Sequence, residues 1–324
     1  MFDVAALGEL LIDFTDAGIS PNGTHLFEQN PGGAPANVLT ALSRMGLKTA
    51  FIGKVGDDLH GHFLEDVLKR EKIDTSSLVI DKHHFTTLAF VSLSPDGDRS
   101  FSFARKPGAD IMLSKGEIKT SVIKNSKIFH IGSLSLTDEP SRSATFYALD
   151  IAKKAGRIIS YDPNYRAPLW RSKQEAKKEI RSVLPYVDVI KLSEEEADLV
   201  TPQKDPKAAG EYLVRHGVKA VFITLGKNGA YVFNREGSVY QPPVPGTAVD
   251  TTGAGDSFCS GILFCICKEN KKVEEFSLQE LSKFAHFGNA AASLCIEKRG
   301  AIPAMPTLPE VYRRFQKEQV FPEN

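Results

Sequence analysis

The segment VDTTGAGDSFCSGILF, which begins at Val249, combines a glycine-rich turn with the start of an apolar helix. Gly253, Ala254 and Gly255 would place unpaired backbone N–H groups at the helix N-terminus, where donors and the helix dipole bind anions. Asp256 follows directly. A carboxylate at this position is usually a helix cap, but it could also take a proton from a hydroxyl group that attacks the anion. This pairing is what phosphoryl transfer requires.

A second glycine-rich segment, GGAPANV, begins at Gly32. The residues after it keep one apolar face at helical spacing until Gly46 ends the run, which predicts an amphipathic helix. The two glycines could form an ordinary turn, or they could let a ligand approach the backbone closely. The residues alone leave both alternatives open.

The commoner phosphate-binding motifs do not occur in the chain. It has no GxxxxGK[ST] sequence, and the spacing after Gly253 does not fit GxGxxG, because Phe258 stands where the last glycine belongs. Neither a P-loop ATPase nor a dinucleotide-dependent dehydrogenase is therefore favoured.

Composition limits the classes of partner. The 324 residues include forty basic and forty acidic side chains, a formal net charge of +0, which does not favour a nucleic-acid partner. The four cysteines lack the spacing of a zinc site, and the N-terminal segment lacks the features of a signal or transit peptide. The apolar run at 258–267 is too short to span a bilayer. We expect a cytoplasmic protein without a membrane partner.

Short apolar runs alternate with longer amphipathic segments along the chain. This order predicts an α/β fold with a mainly parallel sheet, helices on both faces and ligands at the carboxyl ends of the strands. We expect strands at Val4–Leu7, Thr49–Ile52, Ile128–Ile131, Arg157–Tyr161, Val187–Leu192 and Val221–Leu225, and helices at Asp58–Lys72, Ser141–Ala155, Lys173–Leu184 and Pro206–His216. Polar clusters follow several of these strands: Gly8-Glu9 with Asp13, YDPNYR from Tyr161, KLSEEE from Lys191 and TLGKNG from Thr224.

One segment, Thr86–Arg105, interrupts this order with two β-type runs around Pro95-Asp96-Gly97, a hairpin signal. The odd-numbered residues of the second run share one face: Arg99, Phe101, Phe103 and Arg105. Such a ribbon could be a flap that closes over a polar ligand or an ordinary edge extension of a sheet, and the residues alone do not decide between them.

DTTGAGDSF together with NPGGAPANV resembles the two signatures of the ribokinase-like (PfkB-type) carbohydrate kinase family. FIGKVGDDLHG, FHIGSLSL, SYDPNYRAPLW, KLSEEEADL and GAIPAMP resemble the fructokinase branch, so the similarity covers essentially the whole chain. The resemblance implies one domain over 1–324, a three-layer α/β/α sandwich with a mainly parallel central sheet, and a small β-sheet lid formed by about 13–30 and 86–107.

The activity that this resemblance implies is ATP-dependent phosphorylation of D-fructose to fructose 6-phosphate. The same chemistry on 2-keto-3-deoxygluconate, ribose or a nucleoside is an alternative, since Arg105 or Arg166 could bind the carboxylate of a keto acid. A non-catalytic sugar-binding protein on the same fold is a further alternative, which the intact turn and acid at Gly253–Asp256 disfavour. The family also implies a homodimer with the lids in or near its interface.

The resemblance assigns roles to individual residues. It makes Asp256 the catalytic base, gives Gly253, Ala254 and Gly255 the anion hole, and places Arg166 near the transferred phosphate. The implied sugar-binding residues are Asp13, Gly32, Gly33, Asn37, Phe103, Arg105 and Asn164. The implied ATP-binding residues are Lys191, Thr224, Gly226, Gly229, Gly255 and Asn289. The two glycines at Gly32 would then form a floor on which sugar hydroxyls approach the backbone.

Two metal sites follow from the same resemblance. Asp250, Thr252 and Gly300 match positions that hold a monovalent cation such as K⁺ in many family members. Glu196 matches the glutamate of an Asn-x-x-Glu motif linked to Mg²⁺, but Ser193 stands at the asparagine position. Ser193 and Glu196 also fit a capping box, so a helix cap and a magnesium role, direct or through water, both remain open.

Overall fold

The structure is a computed structural model that describes residues 1–93, 99–269 and 271–318. The described strands are β1 (Phe2–Leu7), β2 (Leu11–Ile19), β3 (His25–Gly32), β4 (Thr49–Gly56), β5 (Asp74–Asp81), β6 (Leu88–Leu93), β7 (Arg99–Ala104), β8 (Ser126–Ile131), β9 (Ile158–Tyr161), β10 (Val189–Ser193), β11 (Ala220–Thr224), β12 (Ala230–Asn234) and β13 (Gly237–Gln241). All six predicted strands are confirmed, and the second of them, β4, extends beyond the prediction to Gly56.

Nine of these strands form the large sheet, in the order β13-β12-β11-β10-β9-β8-β1-β4-β5. The strands from β11 to β5 in this order are parallel, and β12 and β13 add an antiparallel hairpin at one edge. The carboxyl ends of the parallel strands therefore meet at one edge of the sheet, which is where α/β folds bind ligands.

The described helices are α1 (Ala34–Arg44), α2 (Leu59–Arg70), α3 (Thr120–Lys124), α4 (Ser141–Lys154), α5 (Lys173–Ser182), α6 (Ala197–Val200), α7 (Pro206–Arg215), α8 (Ala254–Lys268), α9 (Leu278–Cys295) and α10 (Leu308–Glu318). The four predicted helices are confirmed to within two residues at each end. Within the described part of the chain, no helix combines the length and the apolar character that crossing a membrane requires.

Two apolar cores lie on opposite faces of the large sheet. Val4 and Ala6 of β1 pack into the core formed with α1, α2, α8, α9 and α10, whereas Ala5 and Leu7 pack into the core formed with α3 to α7. Successive side chains of a strand point to opposite faces, so a strand buried on both sides has a continuous apolar sequence. This arrangement confirms the predicted three-layer α/β/α sandwich.

The small sheet has the order β3-β2-β6-β7. Its hairpin β6–β7 is antiparallel, and Phe103 lies opposite Ala89. The turn predicted at Pro95-Asp96-Gly97 lies outside the described residues. The sheet is joined to the carboxyl end of β1, because β2 begins at Leu11 and β3 ends at Gly32, directly before α1.

Candidate active site

A cavity of about 210 Å³ lies between the small sheet and the carboxyl ends of the large sheet. Predicted site residues that line it are Asp13, Gly33, Asn37, Phe103, Asn164, Arg166, Asp250, Thr252, Gly253, Gly255, Asp256 and Gly300. A larger cavity of about 870 Å³ opens at the amino ends of the strands, where charged side chains such as Lys219 and Asp188 pair with each other at 3.0 Å. The predicted chemistry therefore lies at the smaller cavity.

The backbone conformation of the turn before α8 requires glycine at position 253. Gly253 has a φ of 79°, in the left-handed region, and a Cβ there would lie 2.9 Å from Cε of Met305. Glycine avoids both the strained conformation and the contact. The turn leads directly into α8, whose first amides have no acceptor within the helix. Ala254 N–H instead donates to the Thr251 carbonyl at 3.3 Å, and Gly255 lines the cavity.

The Asp256 carboxylate is buried, with 5% of the residue exposed, and is held by two side-chain amides. Oδ2 accepts a hydrogen bond of 2.8 Å from Asn37 Nδ2, and Oδ1 accepts one of 3.0 Å from Asn164 Nδ2. Burial raises the pKa of Asp256 to about 6, and nearby Asp162 acts in the same direction, whereas the Asn37 hydrogen bond and the charge of Lys191 oppose the rise. A carboxyl group with this pKa is suited to accept a proton near neutral pH.

The two asparagines come from separate segments of the chain. Asn37 lies in the first turn of α1, and its Oδ1 is buried without a hydrogen-bond partner among the residues that the structure describes. Asn164 follows β9 and has a φ of 47°, a left-handed conformation that asparagine tolerates better than most residues do. The two amides therefore reach Asp256 from different elements of the fold.

The double glycine before α1 is required by close contacts. Gly33 has a φ of 119°, and a Cβ there would collide with the Glu9 carbonyl oxygen. A Cβ at Gly32 would collide with Oδ2 of Asp13. Gly33 lines the cavity, whereas Gly32 lies behind the Asp13 carboxylate and is not among the described lining residues.

A buried ion pair lies against the glycine turn. Lys191 Nζ is 3.1 and 3.3 Å from the two carboxylate oxygens of Asp162, and a Cβ at Gly255 would be only 2.9 Å from the same Nζ. Burial would lower the pKa of Lys191, but the nearby carboxylates, Asp162 foremost, hold it above its usual value. A positive charge is therefore fixed beside the turn that was predicted to bind phosphate.

Glu196 forms the capping box that the sequence left as an alternative. Its Oε2 accepts from Ser193 N–H at 2.9 Å, and its Oε1 accepts from Tyr165 N–H at 2.7 Å. Burial raises the pKa of this carboxyl group. The structure thus shows a cap at Glu196, and its role in magnesium binding stays a prediction.

The three residues of the predicted monovalent-cation site are close together. Asp250 Oδ1 accepts from the backbone N–H and the hydroxyl of Thr252 at 2.9 and 2.8 Å, and Asp250 Oδ2 accepts from Gly300 N–H at 3.0 Å. These contacts join the segment before α8 to the segment after α9. Cation binding there stays a prediction.

Two of the predicted nucleotide-binding residues, Gly226 and Gly229, follow β11, the strand that pairs with β10 and its Lys191. Thr224 ends β11 and lies opposite Ser193 of β10. Gly226 and Gly229 have positive φ angles of 55° and 86° in the turn that follows. Asn289 of α9 donates to the Pro242 carbonyl at 2.8 Å. Their contacts with ATP stay predictions.

The Arg105 side chain is engaged in a buried ion pair outside the described lining of the cavity. Its guanidinium group is buried and donates to Oδ2 of Asp110 at 2.6 and 2.8 Å, to Thr137 Oγ1 at 2.9 Å and to the Leu134 carbonyl at 2.9 Å. It is not among the described residues that line the cavity. The prediction that Arg105 contacts the sugar is therefore not tested by this geometry and stays a prediction.

Two acidic residues at the site were given no role from the sequence. Glu9 lines the cavity and is 3% exposed, and Asp162 is 1% exposed and pairs with Lys191. Glu9 is the second residue after strand β1, and Asp162 is the first residue after strand β9. That position, which the sequence does give, is the signal that could have identified them.

Comparison with known proteins places this geometry in a family. Residues 1–308 match the model described as pfkB family carbohydrate kinase. The chain is 44% identical over 310 residues to the "Probable fructokinase-2" of Arabidopsis thaliana, covering 94% of this chain and 93% of that protein.

Comparison with solved structures gives the same family. A fructokinase from Xylella fastidiosa with bound ATP superposes with a TM-score of 0.91 at 30% identity, over 98% of this chain and 100% of that one. A fructokinase from Vibrio cholerae O395 in fructose, ADP and calcium ion bound form has a TM-score of 0.87 at 31% identity, over 97% and 99% of the two chains. The chain described here belongs to the pfkB family of carbohydrate kinases.

Proposed function

We propose that this protein is an ATP-dependent fructokinase that converts D-fructose to fructose 6-phosphate. The observation that carries the proposal is the Asp256 carboxylate, buried at the cavity beside the glycine turn that starts α8 and held by Asn37 and Asn164. The similarity to fructokinases over nearly the whole chain supports fructose as the substrate.

The reaction is a single in-line transfer. The oxygen of the C6 hydroxyl of fructose forms a bond to the γ-phosphorus of ATP, and the bond between that phosphorus and the β–γ bridging oxygen breaks, so ADP leaves. Asp256 takes the proton of the attacking hydroxyl. The amides at Gly253–Gly255 and the fixed charge of Lys191 stabilise the negative charge on the transferred group.

The sugar occupies the cavity, where hydroxyl groups meet side chains of complementary type. Asp13 accepts hydrogen bonds from sugar hydroxyls, and Phe103 covers an apolar face of the sugar. The small sheet acts as a lid, because its strands β2, β3, β6 and β7 contribute one wall of the cavity. Exclusion of water by the lid suppresses transfer of the phosphoryl group to water.

ATP lies along the turn after β11, with Thr224, Gly226, Gly229 and Asn289 around the nucleoside. Mg²⁺, when bound, neutralises charge on the phosphate oxygens of ATP. The oxygens of the buried carboxylates Asp162 and Glu196 already accept hydrogen bonds from protein groups. These two residues would therefore contact Mg²⁺ through bound water and not directly. K⁺ would take oxygen ligands from the cluster of Asp250, Thr252 and Gly300.

The experiment that tests the substrate is product identification by NMR after incubation with ATP and fructose. We expect fructose 6-phosphate as the product, at a higher kcat/KM than with ribose, a nucleoside or 2-keto-3-deoxygluconate in a parallel ADP-release assay. Asp110 already engages Arg105, so the carboxylate of the keto acid would have to pair with Arg166, which lines the cavity. Preferred turnover of another substrate in the panel would replace fructose, and sugar binding without any turnover would make the protein a sugar-binding protein.

The small sheet offers a surface for a second copy of the chain. On the face opposite the cavity, Phe14 stacks on Phe90 at 5.3 Å and packs edge-on against Phe27 at 6.5 Å. Phe27 is 48% and Phe90 37% exposed. An exposed aromatic cluster on a sheet face is suited to a symmetric interface, so we propose a homodimer through these sheets.

We also propose that the protein acts in the cytoplasm. Its four cysteines are free thiols, three of them buried, as expected for a chain that folds in a reducing compartment.

A further inference from the structure

Glu9 is a buried carboxylate at the cavity to which the proposed reaction gives no role. It lies after β1, with 3% of the residue exposed, and it contributes to the cavity wall. Its Oε1 accepts a hydrogen bond of 2.9 Å from the backbone N–H of Ala34, the first residue of α1. Its Oε2 is buried and has no hydrogen-bond partner within the described ranges. Acidic side chains are rarely buried without a strong partner, and the Ala34 N–H is the donor that α1 provides to Glu9.

Helix α1 depends on this contact because it lacks a cap of its own. Gly33, at its N-cap position, has no side chain, and no side-chain cap is formed there by the helix itself. The Glu9 carboxyl group supplies the missing acceptor from a neighbouring segment. The two backbones also touch, since a Cβ at Gly33 would collide with the Glu9 carbonyl oxygen.

The same helical turn carries Asn37. Its Nδ2 donates the 2.8 Å hydrogen bond to Asp256, and it lies three residues after Ala34, within a single turn of helix. A shift of Ala34 therefore moves the amide that holds the catalytic carboxylate.

We propose that Glu9 is a positioning residue that fixes the first turn of α1 and thereby holds Asn37 against Asp256. This inference rests on the proposed function, because it concerns the orientation of the proposed base.

The surroundings of Glu9 show which substitution preserves the contact. Burial raises the pKa of Glu9 to about 7, while hydrogen bonds from its own backbone N–H and from Ala34 N–H and the charge of Arg105 oppose the rise, and Asp110 adds to it. A neutral side chain of the same shape is therefore compatible with the site. Glutamine keeps an Oε1 acceptor for Ala34 N–H, whereas alanine removes it.

A double-mutant cycle on kcat tests the proposal. We expect Glu9→Ala to lower kcat about 10- to 100-fold, the range for a small misplacement of a catalytic group. Glu9→Gln should stay within about threefold of the parent, because it keeps the acceptor. In an Asn37→Ala background, Glu9→Ala should lower kcat by no more than about twofold, because the residue through which it acts is already gone. If Glu9→Ala does not fold, Glu9→Asp, whose shorter side chain loses the contact, replaces it.

Asp205→Ala is the matched control. Asp205 caps α7 through Ala208 N–H at 2.8 Å, and its loss should leave kcat unchanged. Equal fold losses for Glu9→Ala in both backgrounds, or a Glu9→Ala enzyme with the parent kcat, would overturn the proposal.

Absence of turnover in the unmodified protein would instead contradict the proposed function. In that case, amide hydrogen exchange of the segment 33–38 tests whether Glu9 fixes the first turn of α1. Faster exchange in Glu9→Ala than in Glu9→Gln supports the fixed turn, and equal exchange overturns it.

Discussion

Asn37 donates a hydrogen bond of 2.8 Å to Asp256, although the two residues are 219 positions apart in the chain. The contact joins the first turn of α1 to the first turn of α8, so the two glycine-rich segments of the sequence meet at one carboxylate. The double glycine lets the first helix start close to Glu9, and the left-handed Gly253 lets the second start at the cavity. One hydrogen bond therefore connects the predicted sugar-binding segment with the predicted catalytic base.

Removal of this amide should slow the reaction. We expect Asn37→Ala to lower kcat about 10- to 100-fold, the range for losing a hydrogen bond to a charged group, and to raise the KM for the sugar. Asn234→Ala is the matched control, because Asn234 is similarly buried and donates to the Phe276 carbonyl at 3.0 Å, away from the cavity. Steady-state kinetics of both variants measure the effect. Equal kcat values for the two variants would contradict a role for Asn37 in catalysis.

The rate should depend on pH through Asp256. A base must be deprotonated to act, and burial raises the pKa of Asp256 to about 6, so kcat/KM for fructose, which reports the enzyme without bound substrate, should rise with pH through about 6 and level off above it. Because the hydrogen bond from Asn37 holds this pKa down, the Asn37→Ala enzyme should show the same rise at higher pH. Measurement of kcat/KM over about pH 5 to 9 tests both statements. A value that is already level from about pH 5 upward would contradict the assignment.

The position of Lys191 makes Gly255 sensitive to substitution. A Cβ at this position would lie 2.9 Å from Lys191 Nζ and would push the ammonium group away from the turn. We expect Gly255→Ala to fold and to lose at least about 10-fold in kcat, because preorganised charge is displaced. Gly116→Ala, which meets nothing within 4 Å, should retain the parent rate. Parent-like kcat in both variants would show that the position of the ammonium group is immaterial.

Much of this site could be predicted because its motifs are local. A glycine turn before an apolar run indicates a helix N-terminus, and a polar residue after a strand indicates the ligand edge of the sheet. The partners of those residues could not be predicted in the same way. Arg105 shows this, because its position on the ribbon does not reveal that tertiary packing gives its guanidinium group a buried carboxylate, Asp110.

The roles of Glu9 and Asp162 depend on pairs distant in sequence. Glu9 contacts Ala34 across the start of α1, and Asp162 contacts Lys191 of the neighbouring strand. Neither of these two contacts can be read from a single sequence. The alternation of apolar segments, in contrast, was sufficient for the fold, because β1 is apolar on both faces and must be covered by helices on both sides.

The assembly state is tested by the exposed rings of the small sheet. We expect Phe27→Ser combined with Phe90→Ser to convert a homodimer to a monomer, because it removes the apolar surface that the interface would bury. Tyr312→Ser is the control, since Tyr312 is 44% exposed on α10. Light scattering after size-exclusion chromatography measures the mass of each variant. A monomeric parent protein, or a dimer in the double variant, would contradict the proposed interface.

The most direct test of the central claim is the turnover number of Asp256→Asn with ATP and fructose. The substitution keeps the size and removes the base, so kcat should fall about 10²- to 10⁴-fold, while ATP affinity measured by calorimetry changes little. Asparagine at 256 with nearly the parent kcat would show that this carboxylate is not the proton acceptor.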